Sequence, residues 1–167
     1  MRWAVLATGL LACLALSVTP RPLLLLNTTA SVPVGLYRVV PIRTPQVGDL
    51  VVVTPEPGLA DFLDEGGWLP RGVPLIKPVA AVAGQTVCRR NQDLAIDGRT
   101  VARALLRDGR GGRLPFWSGC RILGTGEVFL LAPAPASLDG RYFGITDGAQ
   151  VQAKAHPLLV SGGKGTP

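Results

Sequence analysis

The chain has 167 residues, 47% hydrophobic and only 17% charged, which excludes a disordered protein and provides enough apolar material for the core of one domain. Its 21 glycines and 15 prolines exclude a helical bundle and favour a mainly β fold of short strands joined by turns. The net charge of +6 comes from basic residues spread along the chain, with local concentrations only at Arg89 and Arg90 and in residues 103–113. We therefore expect solvated basic faces and no nucleic-acid partner.

The N-terminal segment predicts a membrane anchor. Residues 4–18 form an almost unbroken apolar run, close to the minimum of about 17 residues for a spanning helix. The run ends at the sequence TPRP, and apolar character returns in residues 23–26, which we interpret as a continuation at the membrane interface. Arg2 and the terminal amine precede the run and favour a cytoplasmic N-terminus. We predict a single-pass anchor in residues 1–22.

Two alternatives for this segment stay open. Residues 10–13 read LLAC and resemble a lipobox, in which Cys13 would become the lipidated N-terminus. The other alternative is a cleaved signal peptide, although no small-x-small site precedes a polar mature start. All three interpretations place the remaining domain, residues 23–167, outside the cytoplasm. In such an oxidising compartment we predict that Cys88 and Cys120 form a disulfide, with two buried free thiols as the alternative.

Runs rich in valine, isoleucine and leucine, separated by glycine and proline, predict strands along the rest of the chain. The clearest signal is a hairpin with Asp97 and Gly98 at its tip, because this dipeptide supplies the positive φ angles of a two-residue turn. Residues 55–72 and 102–119 interrupt the pattern, and neither is apolar enough to form a second domain. The predicted strands are residues 36–40, 49–54, 75–87, 94–101, 127–132 and 150–160.

Residue counts exclude several kinds of catalytic site. The chain has one histidine, which rules out a metal site built on paired histidines, and no motif implies another cofactor. A Ser-His-Asp triad would have to use His156, which lies in a strand-like stretch. Ser161 and Lys164 have the spacing Ser-x-x-Lys, but they lie in a glycine-rich tail that would not hold a nucleophile rigidly.

Lys77 is the most informative of the three lysines. It lies in residues 73–82, which read VPLIKPVAAV and contain no other charge. Burial disfavours the ammonium form and lowers the pKa of a lysine from about 10.4, which makes the neutral amine available as a general base. The competing interpretation is a lysine that extends its amine to water.

Four blocks of sequence resemble one family when they are taken together. Residues 27–37 read NTTASVPVGLY, in which Ser31 is followed by a pair ending in proline and then by Gly-Leu-Tyr. Residues 48–53 read GDLVVV, residues 74–84 read PLIKPVAAVAG, and residues 137–144 read SLDGRYFG. In this order the blocks resemble the type I signal peptidases, and within them the TraF-type peptidases of bacterial conjugative transfer.

The resemblance implies a Ser/Lys dyad without a metal or cofactor. Ser31 would be the nucleophile and Lys77 its general base. The oxyanion would be bound by the backbone N–H of Ser31 and the hydroxyl of Thr29.

The last block implies a supporting wall. Ser137 would hydrogen-bond the lysine amine and aim it, while Asp139 and Arg141 would form an ion pair behind it. A direct catalytic role for Asp139 stays open. Gly140 stands where the family usually has serine, which leaves the contribution of that serine unfilled.

The resemblance also implies a fold, a location and a substrate. The fold would be the β-barrel type of the LexA and signal peptidase class, on one N-terminal helix in a bacterial inner membrane, with the domain in the periplasm. The substrate would be an exported pilin-like or signal-peptide-bearing precursor, bound as an added strand and processed by hydrolysis or by cyclisation. The alternatives are a general type I signal peptidase, a LexA-like self-cleaving protein and an anchored assembly factor without activity.

Overall fold

The computed structural model describes residues 23–161, and within this range the chain is mainly β, as predicted. Eleven strands and two short α-helices are present there, and each predicted strand region contains strand structure, although residues 75–87 divide into two strands. The elements are β1 (Leu24–Asn27), β2 (Gly35–Val40), β3 (Leu50–Val53), α1 (Pro57–Glu65), β4 (Leu75–Val82), β5 (Thr86–Arg90), β6 (Asp93–Ile96), β7 (Arg99–Arg103), β8 (Gly119–Ile122), β9 (Glu127–Leu130), α2 (Gly140–Phe143), β10 (Thr146–Asp147) and β11 (Val151–Val160).

The larger sheet has seven strands in the order β1-β2-β11-β3-β4-β9-β10, and all neighbours are antiparallel. The last described strand, β11, is therefore an internal strand, between β2 and β3. Side chains alternate between the two faces of a strand, so Ala153 and Ala155 of β11 share a buried face. They pack there with Tyr37 and Val39 of β2 in one core cluster.

The smaller sheet has four strands in the order β7-β6-β5-β8. β6 and β7 form the predicted hairpin, in which Asp97 and Gly98 have φ angles of 48° and 77°. Residues 75–87, predicted as one strand, are two strands in different sheets. Gly84 has a φ of 88° in the turn between them, a conformation that favours glycine. This turn joins the two sheets.

Residues 24–27 form an edge strand of the larger sheet. Their backbone pairs with β2 in antiparallel register, and their location at the membrane interface stays a prediction. Leu23 and Leu26 remain 76% and 67% exposed, so an apolar surface is present here, as the sequence suggested. The predicted anchor in residues 1–22, including Cys13, lies outside the described residues. From residue 23 to residue 161, no helix has the length and apolar character needed to cross a membrane.

The two interruptions of the strand pattern differ in structure. Residues 55–72 contain α1, which begins at a proline and packs Leu63 into the interior. Residues 102–119 extend β7 and then form a largely irregular arm that leads into β8. Cys120 of β8 lies directly opposite Cys88 of β5, and a disulfide joins them.

Candidate active site

Ser31 lies in the loop of residues 28–34, which connects β1 to β2. Two side chains hold this loop from inside. The buried amide of Asn27 bonds to it at several points, and the hydroxyl of Tyr37 donates to the carbonyl of Pro33 at 2.6 Å. The loop is followed by Gly35, where a Cβ would lie 2.0 Å from the carbonyl oxygen of Leu159 in β11. Only glycine permits β11 to pass so close to the end of the loop.

Lys77 is placed against this loop by β4, an internal strand of the larger sheet. Its Nζ donates to Ser31 Oγ at 2.7 Å and to Ser137 Oγ at 2.7 Å. Ser137 Oγ in turn donates to Ser31 Oγ at 3.1 Å. Residues separated by 46 and 60 positions in sequence thus meet in one triangle of polar atoms.

The environment of Lys77 favours a neutral amine. The residue is 3% exposed, and burial lowers its pKa from 10.5 to about 8. The negative charge of Asp139 opposes this shift, while the positive charge of Arg141 adds to it. A substantial fraction of the amine is therefore unprotonated at mildly alkaline pH.

Residues 131–141, which follow β9, lie behind Lys77, and we call this segment the wall of the site. Asp139 accepts hydrogen bonds from the backbone N–H groups of Ala132 and Arg141 at 2.9 and 3.1 Å. Its carboxylate is fully buried and pairs with the guanidinium of Arg141 at 2.7 Å, which also donates to the Ala132 carbonyl at 2.7 Å. Burial raises the pKa of Asp139, and the charge of Arg141 opposes that rise. No hydrogen bond joins Asp139 to Ser31 or Lys77, so its described contacts hold the wall and not the reacting atoms.

Ser31 opens onto a groove of about 560 Å³. The groove is apolar apart from two hydroxyl groups, and its walls come from the loop of residues 28–34, β3, β4 and the segment after β9. The lining residues are Ala30, Ser31, Val32, Pro33, Val34, Leu50, Pro78, Pro133, Ala134 and Ser161.

Thr29 is close to the site but is engaged elsewhere. Its hydroxyl donates to Asn27 Oδ1 at 3.0 Å. A hydroxyl has one proton to donate, so this group would have to exchange its partner before it could stabilise an oxyanion. The other predicted oxyanion donor, the backbone N–H of Ser31, is in none of the described hydrogen bonds.

A family model described as "Signal peptidase, peptidase S26" matches residues 1–159. The chain belongs to this family. A "Probable conjugal transfer protein TraF" of Sinorhizobium fredii is 39% identical over 145 residues, covering 80% of this chain and 76% of that protein. A "Conjugal transfer protein TraF" of Agrobacterium tumefaciens is 36% identical, and a "Plasmid transfer protein TraF" of Escherichia coli is 28% identical, covering 80% of this chain and 81% and 80% of those proteins, respectively. A solved signal peptidase I of Enterococcus faecalis is 20% identical, with a TM-score of 0.39, and covers 68% of this chain and 97% of that one.

These relatives confirm the resemblance that the four sequence blocks suggested. Of the residues singled out from the blocks, Ser31, Lys77 and Ser137 meet directly, and the Asp139–Arg141 pair lies behind them. Cys88 and Cys120 lie apart, in the smaller sheet. In residues 23–161, no group of three or more histidine, cysteine, aspartate or glutamate side chains is arranged to hold a metal ion.

Arg89 was missed from the sequence, where the pair with Arg90 suggested a solvated face. It is instead 1% exposed, and burial lowers its pKa. Its guanidinium donates to the carbonyl of Arg141 and lies 4.5 Å from the ring of Phe116, which links the smaller sheet to the wall of the site. The alternation of side chains along a strand could have identified it, because Arg89 lies two residues after Val87 and shares the buried face of β5 with it.

Proposed function

We propose that the chain is a serine endopeptidase with a Ser/Lys dyad, anchored in the inner membrane and acting in the periplasm. The observation that carries the proposal is the buried amine of Lys77, 2.7 Å from the hydroxyl of Ser31 and with a pKa of about 8. Hydroxyl activation by an amine requires this distance, about 2.6 to 3.2 Å, and a base that is neutral near the working pH.

In the proposed reaction the neutral Lys77 amine takes the Ser31 hydroxyl proton as Oγ attacks the scissile carbonyl carbon. Negative charge then develops on the carbonyl oxygen, where the backbone N–H of Ser31 would donate, joined by Thr29 if its hydroxyl exchanges partner. The ammonium of Lys77 returns the proton to the leaving amine as the peptide bond breaks. The resulting ester on Ser31 is attacked by water, or by an amine of the substrate itself, which would give a cyclic product.

The proposed substrate is an exported precursor, the pilin of a conjugative transfer system. Three features support it: the relatives are named for conjugal or plasmid transfer, the groove beside Ser31 is largely apolar, and exposed leucines lie beside the loop that carries Ser31. Leu23 and Leu26 directly follow the predicted anchor, so they would rest on the membrane surface. A precursor would then be cut where it leaves the bilayer.

The dyad is tested by Ser31→Ala and Lys77→Arg in the purified full chain. Arginine keeps the charge but cannot act as a base at accessible pH, so both variants should lose roughly three orders of magnitude or more in kcat. Ser118→Ala and Lys154→Arg make the same chemical changes away from the site and should retain wild-type activity. Wild-type turnover in either dyad variant would contradict the mechanism.

The substrate is tested in cells that carry Ser31→Ala in place of the wild-type protein. We expect the pilin precursor to accumulate and conjugative transfer to stop, while bulk secretion continues. Accumulation of many secreted precursors with normal pilin would favour a general signal peptidase. Normal transfer with Ser31→Ala would favour an assembly factor that does not need the chemistry.

A further inference from the structure

Asn27 is the polar centre of the loop that carries Ser31. The residue is 7% exposed, and its amide makes five hydrogen bonds, all within residues 29–33. Nδ2 donates to the carbonyls of Thr29, Val32 and Pro33 at 2.8, 3.1 and 3.1 Å. Oδ1 accepts from the backbone N–H and the hydroxyl of Thr29 at 3.2 and 3.0 Å.

The partners determine the orientation of this amide, because carbonyl oxygens can only accept and a backbone N–H can only donate. They also lie on both sides of Ser31 in sequence, at Thr29 before it and at Val32 and Pro33 after it. One side chain therefore holds together the two limbs of the loop that present the nucleophile. Without the Nδ2 donor, three inward-facing carbonyls would compete for other partners.

We propose that Asn27 is the positioning residue of the dyad. Its Nδ2 holds Ser31 at hydrogen-bond distance from Lys77, and its Oδ1 holds the hydroxyl of Thr29. Asn27 does not touch the reacting atoms and acts through the loop backbone. The inference rests on the proposed function, since it assigns Asn27 to that same site.

Asparagine is chemically specific at this position. Aspartate has the same shape but offers only acceptors, so its carboxylate would face three carbonyl oxygens and would lose all three donated bonds. Asn27→Asp thus removes the clamp while it keeps the acceptor for Thr29. The only other asparagine of the chain, Asn91, is exposed in the turn between β5 and β6, where Asn91→Asp makes the same chemical change as a control.

The experiment uses the full chain in detergent micelles and an internally quenched peptide of about ten residues with alanine on both sides of the central bond. Activity is expressed per folded molecule, with folding followed by circular dichroism at the assay temperature. We expect Asn27→Asp to lower kcat at least tenfold, because Ser31 loses its alignment with Lys77. The new carboxylate favours the ammonium form of Lys77 and should move the inflection of kcat/KM upward from pH 8, so kcat is compared on the plateau above the inflection. Asn91→Asp should stay within twofold of wild type.

Wild-type kcat per folded molecule in Asn27→Asp would overturn the inference, because a purely structural role costs folded protein and not turnover. If Asn27→Asp does not fold, Asn27→Gln keeps both polar groups but displaces them by one methylene, and the same criterion applies. Ser31→Ala serves as the reference in every assay. Cleavage of the peptide by Ser31→Ala, or none by wild type, would overturn the proposed function itself and this inference with it.

Discussion

The buried position of Lys77 lowers the free energy of unfolding when its amine is protonated. Below about pH 8 the lysine is protonated in both the folded and unfolded states, and the folded state bears the full cost of a buried ammonium, about 3 kcal/mol for a pKa lowered from 10.5 to about 8. Between pH 8 and 10.5 the unfolded state binds more protons. Stability therefore rises with pH across this window, and the cost is absent above it.

Replacing the lysine by an apolar side chain of similar length should stabilise the protein. We expect Lys77→Met to raise the free energy of unfolding by about 1 to 3 kcal/mol at pH 7, with the lost serine contacts offsetting part of the gain. The gain should shrink towards pH 10.5 in thermal unfolding followed by circular dichroism. Lys154→Met, which removes a lysine paired with Asp49 near the surface, should give no such gain. A gain that is independent of pH would contradict the assignment.

The same pKa should appear in the activity. Because the base must be neutral, kcat/KM should rise about tenfold per pH unit below pH 8 and level off above it. Peptide cleavage measured from pH 6 to 10 gives this profile. An inflection close to the ordinary lysine pKa would mean that Lys77 is hydrated in the working enzyme.

The neighbours of Gly140 leave no room for the serine that the family usually has at this position. A Cβ here would lie 2.7 Å from the carbonyl oxygen of Leu130 and from the ring of Phe129. Gly140→Ser, which installs the usual residue of the family, should therefore destabilise the fold by about 1 to 3 kcal/mol. Gly58→Ser is the matched control, since no atom lies within 4 Å of its added Cβ. Equal unfolding midpoints for the two variants would show that the wall adapts to serine.

At the scale of elements, the disulfide stabilises the smaller sheet by tying its edge strand β8 to β5. The closed loop spans 32 residues, for which chain entropy predicts about 3 to 4 kcal/mol. The double variant Cys88→Ser and Cys120→Ser should lower the thermal midpoint, and reductant should lower that of wild type only. Free thiols at both Cys88 and Cys120 in a mass spectrum of the unreduced periplasmic protein would contradict the bond.

The strands that could be predicted are those with a buried face. Asp97 and Gly98 indicate the hairpin of residues 94–101. The alternation of polar and apolar residues indicates β11. β8 was missed because all four of its residues are exposed in an arginine- and glycine-rich segment, so no alternation marks it. β1 was not predicted as a strand, because its apolar and mostly exposed leucines are also typical of a segment at a membrane interface.

The candidate site was predictable as far as its residues carry unusual chemistry. Lys77 was found because a charge in an apolar run is rare, and Ser31 because four blocks occur in order. Asn27 and Arg89 were missed because their partners are mostly backbone carbonyls, which residue types do not reveal. Long-range contacts, such as Lys77 with Ser137, follow from the topology of the sheet.

At the scale of the whole molecule, charge is divided unevenly between the two sheets. Residues 86–122, which contain the smaller sheet and its arm, hold eight arginines and three aspartates, a formal charge of +5 out of the chain's +6. The larger sheet and the remaining segments are nearly neutral. Eight of the chain's 14 arginines thus belong to the part of the fold that contains the smaller sheet, and β1 belongs to the other sheet.

The position of β11 between β2 and β3 determines when the proposed active site can form during synthesis and export. A chain exported from its N-terminus delivers Ser31 first and Lys77 next, but β2 and β3 have no neighbour between them until residues 151–160 arrive. Until then the larger sheet is split, and the loop and the lysine belong to separate halves. The proposed Ser31/Lys77 dyad would therefore assemble only after β11 has paired with both β2 and β3.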